Sequence, residues 1–140
     1  MRSWSRWVVL LAAIAMPLVS YLTQSGAFGG SVGDESNRFA TLIVPAGYAF
    51  GIWGLIFLLD LAFAAWQATG VRARDASLDR LRPWSIAGFA LTAAWTPVFS
   101  QQAWVAAVVV IWLSLAALVL AAAGAARAAP GSSAASPLAG

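Results

Sequence analysis

Four apolar stretches alternate with short polar segments along the chain. They cover approximately residues 5–22, 46–66, 84–100 and 103–123. A run of about 20 apolar residues is long enough for an α-helix to cross the hydrocarbon core of a bilayer. The pattern therefore predicts an all-α fold, a polytopic transmembrane helix bundle of four spans within residues 1–126. The Ala-, Ser- and Pro-rich segment 127–140 is predicted to be a disordered tail.

The first apolar stretch has two interpretations. Arg2 and Arg6 precede it and the small residues 25–27 follow it, which is also the pattern of a cleaved signal peptide. The stretch is slightly long for a signal peptide, and a proline such as Pro17 is tolerated in a membrane helix. A retained first helix is the preferred interpretation, and a signal peptide over residues 1–27 is the alternative.

Polar connections follow the first and second spans. Residues 23–43 are predicted to form a loop or a short interfacial helix, and residues 68–83 an arginine-rich connection. Of the eight arginines, only Arg38 falls on the side opposite the two termini. Because cytoplasmic segments of membrane proteins carry an excess of Lys and Arg, both termini are predicted to be cytoplasmic.

Composition narrows the classes of function. The chain is 61% hydrophobic and 9% charged, whereas soluble domains carry about 25% charged residues. The net charge of +3 comes from arginines in short connections, which does not indicate a nucleic-acid surface. The chain has no cysteine and no histidine. Disulfides, thiolate chemistry, the commonest metal ligand and a Ser-His-Asp triad are therefore excluded, and we predict no enzyme, catalytic residue or metal site.

Eight tryptophans fall into two groups. Five lie close to predicted helix ends, as expected for the interfacial aromatic belt; they are Trp4, Trp7, Trp66, Trp84 and Trp104. Trp53, Trp95 and Trp112 lie deeper in their spans. Packing between helices can account for these three. A flat apolar cavity for an aromatic ligand can account for them equally, because aromatic rings stack on planar partners.

The second span has two distinct faces at helical spacing. One face carries Phe50, Trp53, Phe57 and Asp60. The other is small, with Gly47 and Gly51 in the GxxxG spacing that lets helices approach closely. Asp60 is the one acid inside a span, so we expect it to face other helices, to pair with an arginine, or to meet a nitrogen donor of a ligand.

The third span can complete a cavity with this aromatic face. Gly88, Thr92, Trp95 and Phe99 fall on one of its sides. If that side meets the aromatic face of the second span, the two helices enclose an aromatic slot. Simple packing of the two helices is equally compatible with the pattern.

The segment PAGYAFGIWGLIF (45–57) and the run TAAW (92–95) resemble the tryptophan-rich sensory proteins of the TspO/MBR (translocator protein/peripheral benzodiazepine receptor) family. The resemblance covers roughly residues 20–123. It implies an α-helical membrane bundle, usually of five spans and often dimeric, that binds porphyrins and other tetrapyrroles in an aromatic pocket beneath the first loop. This chain departs from the family in having Thr92 where asparagine is usual, and in lacking a predicted fifth helix.

Together, the residues and the resemblance predict a multi-pass protein of the bacterial inner (cell) membrane. Its expected partners are the lipid bilayer, a porphyrin-like ligand for sensing or transport, and a second copy in a homodimer, with no cofactor other than such a ligand. The predicted ligand-binding residues are Tyr48, Phe50, Trp53, Phe57, Asp60, Thr92 and Trp95. The alternative function is a small structural or assembly subunit of a membrane complex that binds no small molecule.

Overall fold

The described part of the chain folds into four long helices, one short helix and a 3₁₀ helix. The computed structural model describes residues 4–38, 47–70 and 74–128, and all regular structure in these ranges is helical. The elements are α1 (Ser5–Gln24), α2 (Val32–Arg38), the 3₁₀ helix (Gly47–Gly51), α3 (Ile52–Ala68), α4 (Ala76–Ser100) and α5 (Trp104–Ala128). The all-α prediction is confirmed. Helix α5 extends into the predicted tail, and residues 129–140 lie outside the described ranges.

Helix α4 lies at the centre of the bundle. It packs against α1 on one side and α5 on the other, and α3 packs against α1. The buried apolar core combines residues of α1, α3 and α4, namely Val9, Ala13, Met16, Ala64, Phe89 and Ala93. Helices α3 and α4 meet through long side chains, at Trp53–Trp95 and at Gln67–Arg82. This arrangement leaves room for cavities between α3 and α4.

Small residues bring α4 and α5 close together. A Cβ added at Gly88 would lie 2.6 Å from Leu118 Cγ, and one added at Gly124 would collide with Leu81. By contrast, a Cβ at Gly51 or Gly54 would meet nothing within 4 Å. Within the described chain, the close helix approach therefore uses α4 and α5, and the small face of α3 stays uncovered.

Helix α4 begins earlier than the sequence pattern predicts. Its first residue is Ala76, whereas the predicted third span begins at residue 84. The Asp75 side chain caps the helix by accepting a hydrogen bond from the Ser77 amide at 2.8 Å. Asp79 in the first turn pairs with Arg82 one turn further on, an i,i+3 pair that supports helix formation. Residues 76–83, the second half of the predicted polar connection, are thus the first two turns of α4.

A capped short helix forms in the first long connection. Ser31 Oγ accepts from the Asp34 amide at 3.0 Å and donates to Asp34 Oδ2 at 2.7 Å, which caps α2. Glu35 is 3% exposed. Its Oε1 accepts from Arg38 at 3.0 Å and its Oε2 from Gln102 at 3.2 Å. The short helix is therefore fastened to the turn between α4 and α5.

The outer surface of the bundle is apolar. Two of the described helices are long and apolar enough to cross a membrane, Ser5–Gln24 and Trp104–Arg127, and α3 is a shorter apolar helix. Large side chains on α1 and α5 face outward, among them Leu11, Leu18, Val105, Trp112 and Leu113. Such a continuous apolar surface is unfavourable in water. Length and surface together support a membrane protein.

Candidate ligand-binding site

A row of aromatic rings joins α3, α4 and the start of α5. Trp53 and Trp95 stack with ring centroids 6.1 Å apart and planes inclined by 21°. Phe57 lies 6.0 Å from Trp53, and Phe99 lies 5.2 Å from Trp95. Trp104 meets the Phe99 ring edge-on at 5.0 Å. The two deep tryptophans that the sequence singles out on the second and third spans are therefore in direct contact.

A cavity of about 210 Å³ lies beside this row. Helices α1, α2, α3 and α4 all contribute to its wall. The lining residues are Ser20, Gln24, Val32, Trp53, Gly54, Phe57, Thr92, Trp95 and Thr96. Pockets for drug-sized ligands usually measure roughly 300–1,000 Å³. The cavity as it stands therefore accommodates only part of a large planar molecule.

Most of the cavity is apolar, and its polar groups differ in availability. The Thr92 hydroxyl donates to the Gly88 carbonyl at 2.9 Å and lies 2.6 Å from Ser114 Oγ on α5. The Thr96 hydroxyl donates to the Ala93 carbonyl at 3.2 Å. Ser20 and Gln24 have no side-chain hydrogen bond to the described residues, so their hydroxyl and amide are available to a ligand.

The structure brings together some of the predicted ligand-binding residues and separates others. Trp53, Phe57, Thr92 and Trp95 line the cavity. Tyr48, on the 3₁₀ helix, is 88% exposed, and the side chain of Phe50 lies outside the described part of the chain.

Asp60 lies in a second cavity between α3, α4 and α5. This groove measures about 230 Å³ and is lined by Asp60, Phe63, Leu81, Ser85, Phe89, Leu118, Ala121, Ala122 and Ala125. Asp60 shares a helix face with Trp53 but follows it by two turns, about 10 Å along the axis. It makes no ion pair with any arginine in the described ranges. The groove and the aromatic cavity are therefore two separate spaces.

Five residues of the aromatic cavity were not predicted from the sequence. Ser20 and Gln24 come from the end of α1, Val32 from α2, Gly54 from α3 and Thr96 from α4. The only signal in the sequence is that Ser20 and Gln24 are polar at i,i+4 spacing, which places them on one face. That face could not be matched to the tryptophans without knowing how α1 packs.

Buried polar contacts tie the other end of the bundle together. Arg82 is 2% exposed, donates to Gln67 Oε1 at 2.8 Å and pairs with Asp79. Gln67 in turn donates to the Arg6 carbonyl at 3.2 Å. Burial first, and then the positive charge of Arg6, lower the pKa of Arg82. These contacts join α1, α3 and α4, which is a structural role.

Among the described residues, no titratable side chain lines the aromatic cavity. No group of three Asp, Glu, His or Cys side chains that could hold a metal occurs in the part of the chain that the structure describes. The lining consists of aromatic, aliphatic, hydroxyl and amide groups. This arrangement suits the binding of a flat apolar molecule with a few polar substituents.

Fold and surface define an α-helical membrane protein with an aromatic-lined cavity. A family model described as TSPO-like protein matches residues 6–134. The chain therefore belongs to this family, the TspO/MBR family, as the motif in residues 45–57 predicts. No curated protein and no solved structure gives a significant match.

Proposed function

We propose that this protein binds a porphyrin or related tetrapyrrole in the cavity beside Trp53 and Trp95, for sensing or transport. The observation that carries the proposal is the stacked tryptophan pair, which forms part of a cavity wall shared by four helices. Stacked aromatic rings offer a large flat contact surface, which a planar macrocycle can cover.

The ligand binds against the tryptophan pair, not between its rings. Carbon atoms in contact are about 3.5–4.0 Å apart, so inserting a ring between two others needs about 7–8 Å. The rings of Trp53 and Trp95 are 6.1 Å apart, which leaves no such gap. Ser20 and Gln24 can hydrogen-bond polar substituents of the macrocycle, and displacement of α2, which contributes Val32 to the wall, would enlarge the space.

The same proposal includes the topology of the protein in the bacterial inner membrane. All four long helices cross the bilayer. The span of α3 includes the preceding 3₁₀ helix, and the span of α4 consists of the apolar second half of that helix. Both termini then lie on the arginine-rich side, which is cytoplasmic by the charge rule. The aromatic cavity lies near the opposite, external end.

Removal of the two rings tests the proposal. We expect the double substitution Trp53→Leu/Trp95→Leu to weaken protoporphyrin binding by roughly tenfold or more, because each lost aromatic contact costs about 0.5–1.5 kcal/mol. Affinity is measured from the change in porphyrin absorbance as purified protein in detergent is titrated into a fixed porphyrin concentration.

Trp112→Leu is the matched control. Trp112 is exposed on α5 and does not line the cavity, so the control removes an indole without touching the site. Equal porphyrin affinity of the double variant and this control, with both proteins folded by circular dichroism, would contradict the proposal.

A structural or assembly role is the second candidate, and the uncovered small face of α3 favours it. Gly51 is exposed, does not line the aromatic cavity and would accept a close helix from another chain; a second copy in a homodimer is the simplest such partner. Gly51→Leu should then abolish the assembly recovered in mild detergent, which for a homodimer is measured by light scattering. An assembly that survives this substitution excludes the face that carries Gly51.

A further inference from the structure

Five arginines of the described ranges lie at one end of the bundle: Arg6, Arg74, Arg80, Arg82 and Arg127. They do not share one role. Arg82 is buried and engaged with Gln67 and Asp79. Arg80 and Arg127 are exposed, and within the described ranges neither has a hydrogen bond or an ion pair. These two guanidinium groups are available to an external anion.

Arg80 and Arg127 line a common cleft between the start of α4 and the end of α5. The cleft measures about 420 Å³, and Ser77, Leu81 and Gly124 complete its lining. The absence of a side chain at Gly124 lets Leu81 lie against α5. Arg127 stands in the last turn of α5, where the helix dipole favours a cation. The cleft thus places two positive groups from different helices above an apolar floor.

The cleft adjoins the apolar groove that contains Asp60. Leu81 lines both spaces. Below Leu81 the groove runs between α3, α4 and α5, past Phe89, Leu118 and Ala122. The charged cleft at the end of the bundle and the mainly apolar groove along its side therefore meet at Leu81. An amphiphile with an anionic head and a hydrocarbon chain matches both parts.

We infer that Arg80 and Arg127 bind the phosphate of an anionic phospholipid, with one acyl chain lying in the groove beneath Leu81. Guanidinium groups bind phosphate oxygens through paired hydrogen bonds, and basic pockets between membrane helices recognise anionic headgroups. Ser77 adds a hydroxyl at the same site. The site is at the end opposite the aromatic cavity and does not depend on the proposed tetrapyrrole function.

Single-charge substitutions test this site on the full chain in detergent. Dioleoyl phosphatidylglycerol is titrated and the bound fraction is measured by native mass spectrometry. We expect Arg80→Gln and Arg127→Gln each to weaken binding by about fivefold, the effect of one arginine near an anionic headgroup. Arg74→Gln is the matched control, because Arg74 is exposed at the same end but does not line the cleft.

Further ligands and one groove variant distinguish a phospholipid site from a free phosphate site, from general surface attraction and from a groove that binds a second copy. Dioleoyl phosphatidylcholine should bind more weakly than phosphatidylglycerol, and glycerol phosphate should bind more weakly still because it lacks the chains. Ala122→Phe should weaken phosphatidylglycerol binding by filling the groove.

Equal loss of phosphatidylglycerol binding with Arg74→Gln would show general surface attraction. Equal binding of glycerol phosphate would show a free phosphate site, and lipid-free dimerisation abolished by Ala122→Phe would show a second copy in the groove; each of these overturns the inference.

Discussion

At the scale of single residues, Thr92 shows that a cavity residue can serve the bundle instead of the ligand. It lines the aromatic cavity, as the sequence pattern suggests. Its hydroxyl, however, lies within hydrogen-bond distance of the Gly88 carbonyl and of Ser114 Oγ, and Ser114 Oγ lies 3.0 Å from the same carbonyl. The hydroxyl of Thr92 thus joins α4 to α5.

Thr92→Val removes this hydroxyl and keeps the shape of the side chain. We expect a loss of about 0.5–1.5 kcal/mol in the free energy of unfolding, the usual value of one hydrogen bond. Coupling to Ser114→Ala in a double-mutant cycle should be about 0.6 kcal/mol, the average for hydrogen bonds between membrane helices. Both quantities are measured by equilibrium unfolding in detergent.

Porphyrin affinity of the same Thr92→Val variant distinguishes a structural from a ligand-binding hydroxyl. Because the hydroxyl is already bonded on the α5 side, affinity should stay within about twofold of that of the unmodified protein. A tenfold loss, equal to about 1.4 kcal/mol, would show that the hydroxyl contacts the ligand directly.

The sequence identified the aromatic side chains of the candidate cavity better than its polar ones. Helical spacing placed Trp53 and Trp95 on helix faces that would enclose a slot if they met, and the two rings do meet. The same depth argument singled out Trp112, which the structure leaves exposed on α5. Ser20 and Gln24 could not be assigned to the cavity in advance, because their role depends on how α1 is rotated against α3 and α4. Asp60 shares the Trp53 face, but its depth along α3 puts it in a different space.

At the scale of elements, charged residues near helix ends are where pattern and structure diverge. The alternation of arginine and aspartate in residues 68–83 is typical of a polar connection, yet α4 begins at Ala76. The Asp75 cap and the Asp79–Arg82 pair are local interactions that the apolar pattern does not register. Hydropathy finds the apolar part of a helix, and capping determines where the helix starts.

Helix α2 should depend on Glu35 for its position beside the cavity. Glu35→Ala removes the contacts to Arg38 and Gln102. Hydrogen bonds to charged groups contribute about 1.5–3 kcal/mol. We therefore expect amide hydrogen exchange in residues 32–38 to accelerate by roughly tenfold or more, since protection follows the free energy of local opening.

Asn37→Ala is the control for this experiment, because Asn37 is exposed on the same short helix. It should leave the exchange of α2 unchanged. Unchanged exchange with Glu35→Ala as well would show that Val32, buried at the cavity wall, holds α2 without help from Glu35.

At the scale of the whole molecule, the two ends of the bundle differ in chemistry. One end carries the aromatic cavity and α2. The other carries the buried Arg82 network and the cleft of Arg80 and Arg127. The contacts Thr23–Thr96 and Gln67–Arg6, together with the packing of Leu81 against Gly124, show that consecutive long helices run in opposite directions. This asymmetry gives the molecule a direction in the membrane.

Cysteine labelling in intact cells measures the orientation of the protein in the membrane. The sequence has no native cysteine, so any label reports the introduced thiol alone. Asn37→Cys and Ala126→Cys place single exposed thiols near opposite ends of the bundle. By the charge rule, we expect Arg127 and its neighbours to stay in the cytoplasm. A maleimide that passes the outer membrane but not the inner one should therefore label the Asn37→Cys protein in intact cells. It should label the Ala126→Cys protein only after lysis. Labelling of Ala126→Cys in intact cells would reverse the proposed orientation, and it would place the arginine cleft on the external leaflet.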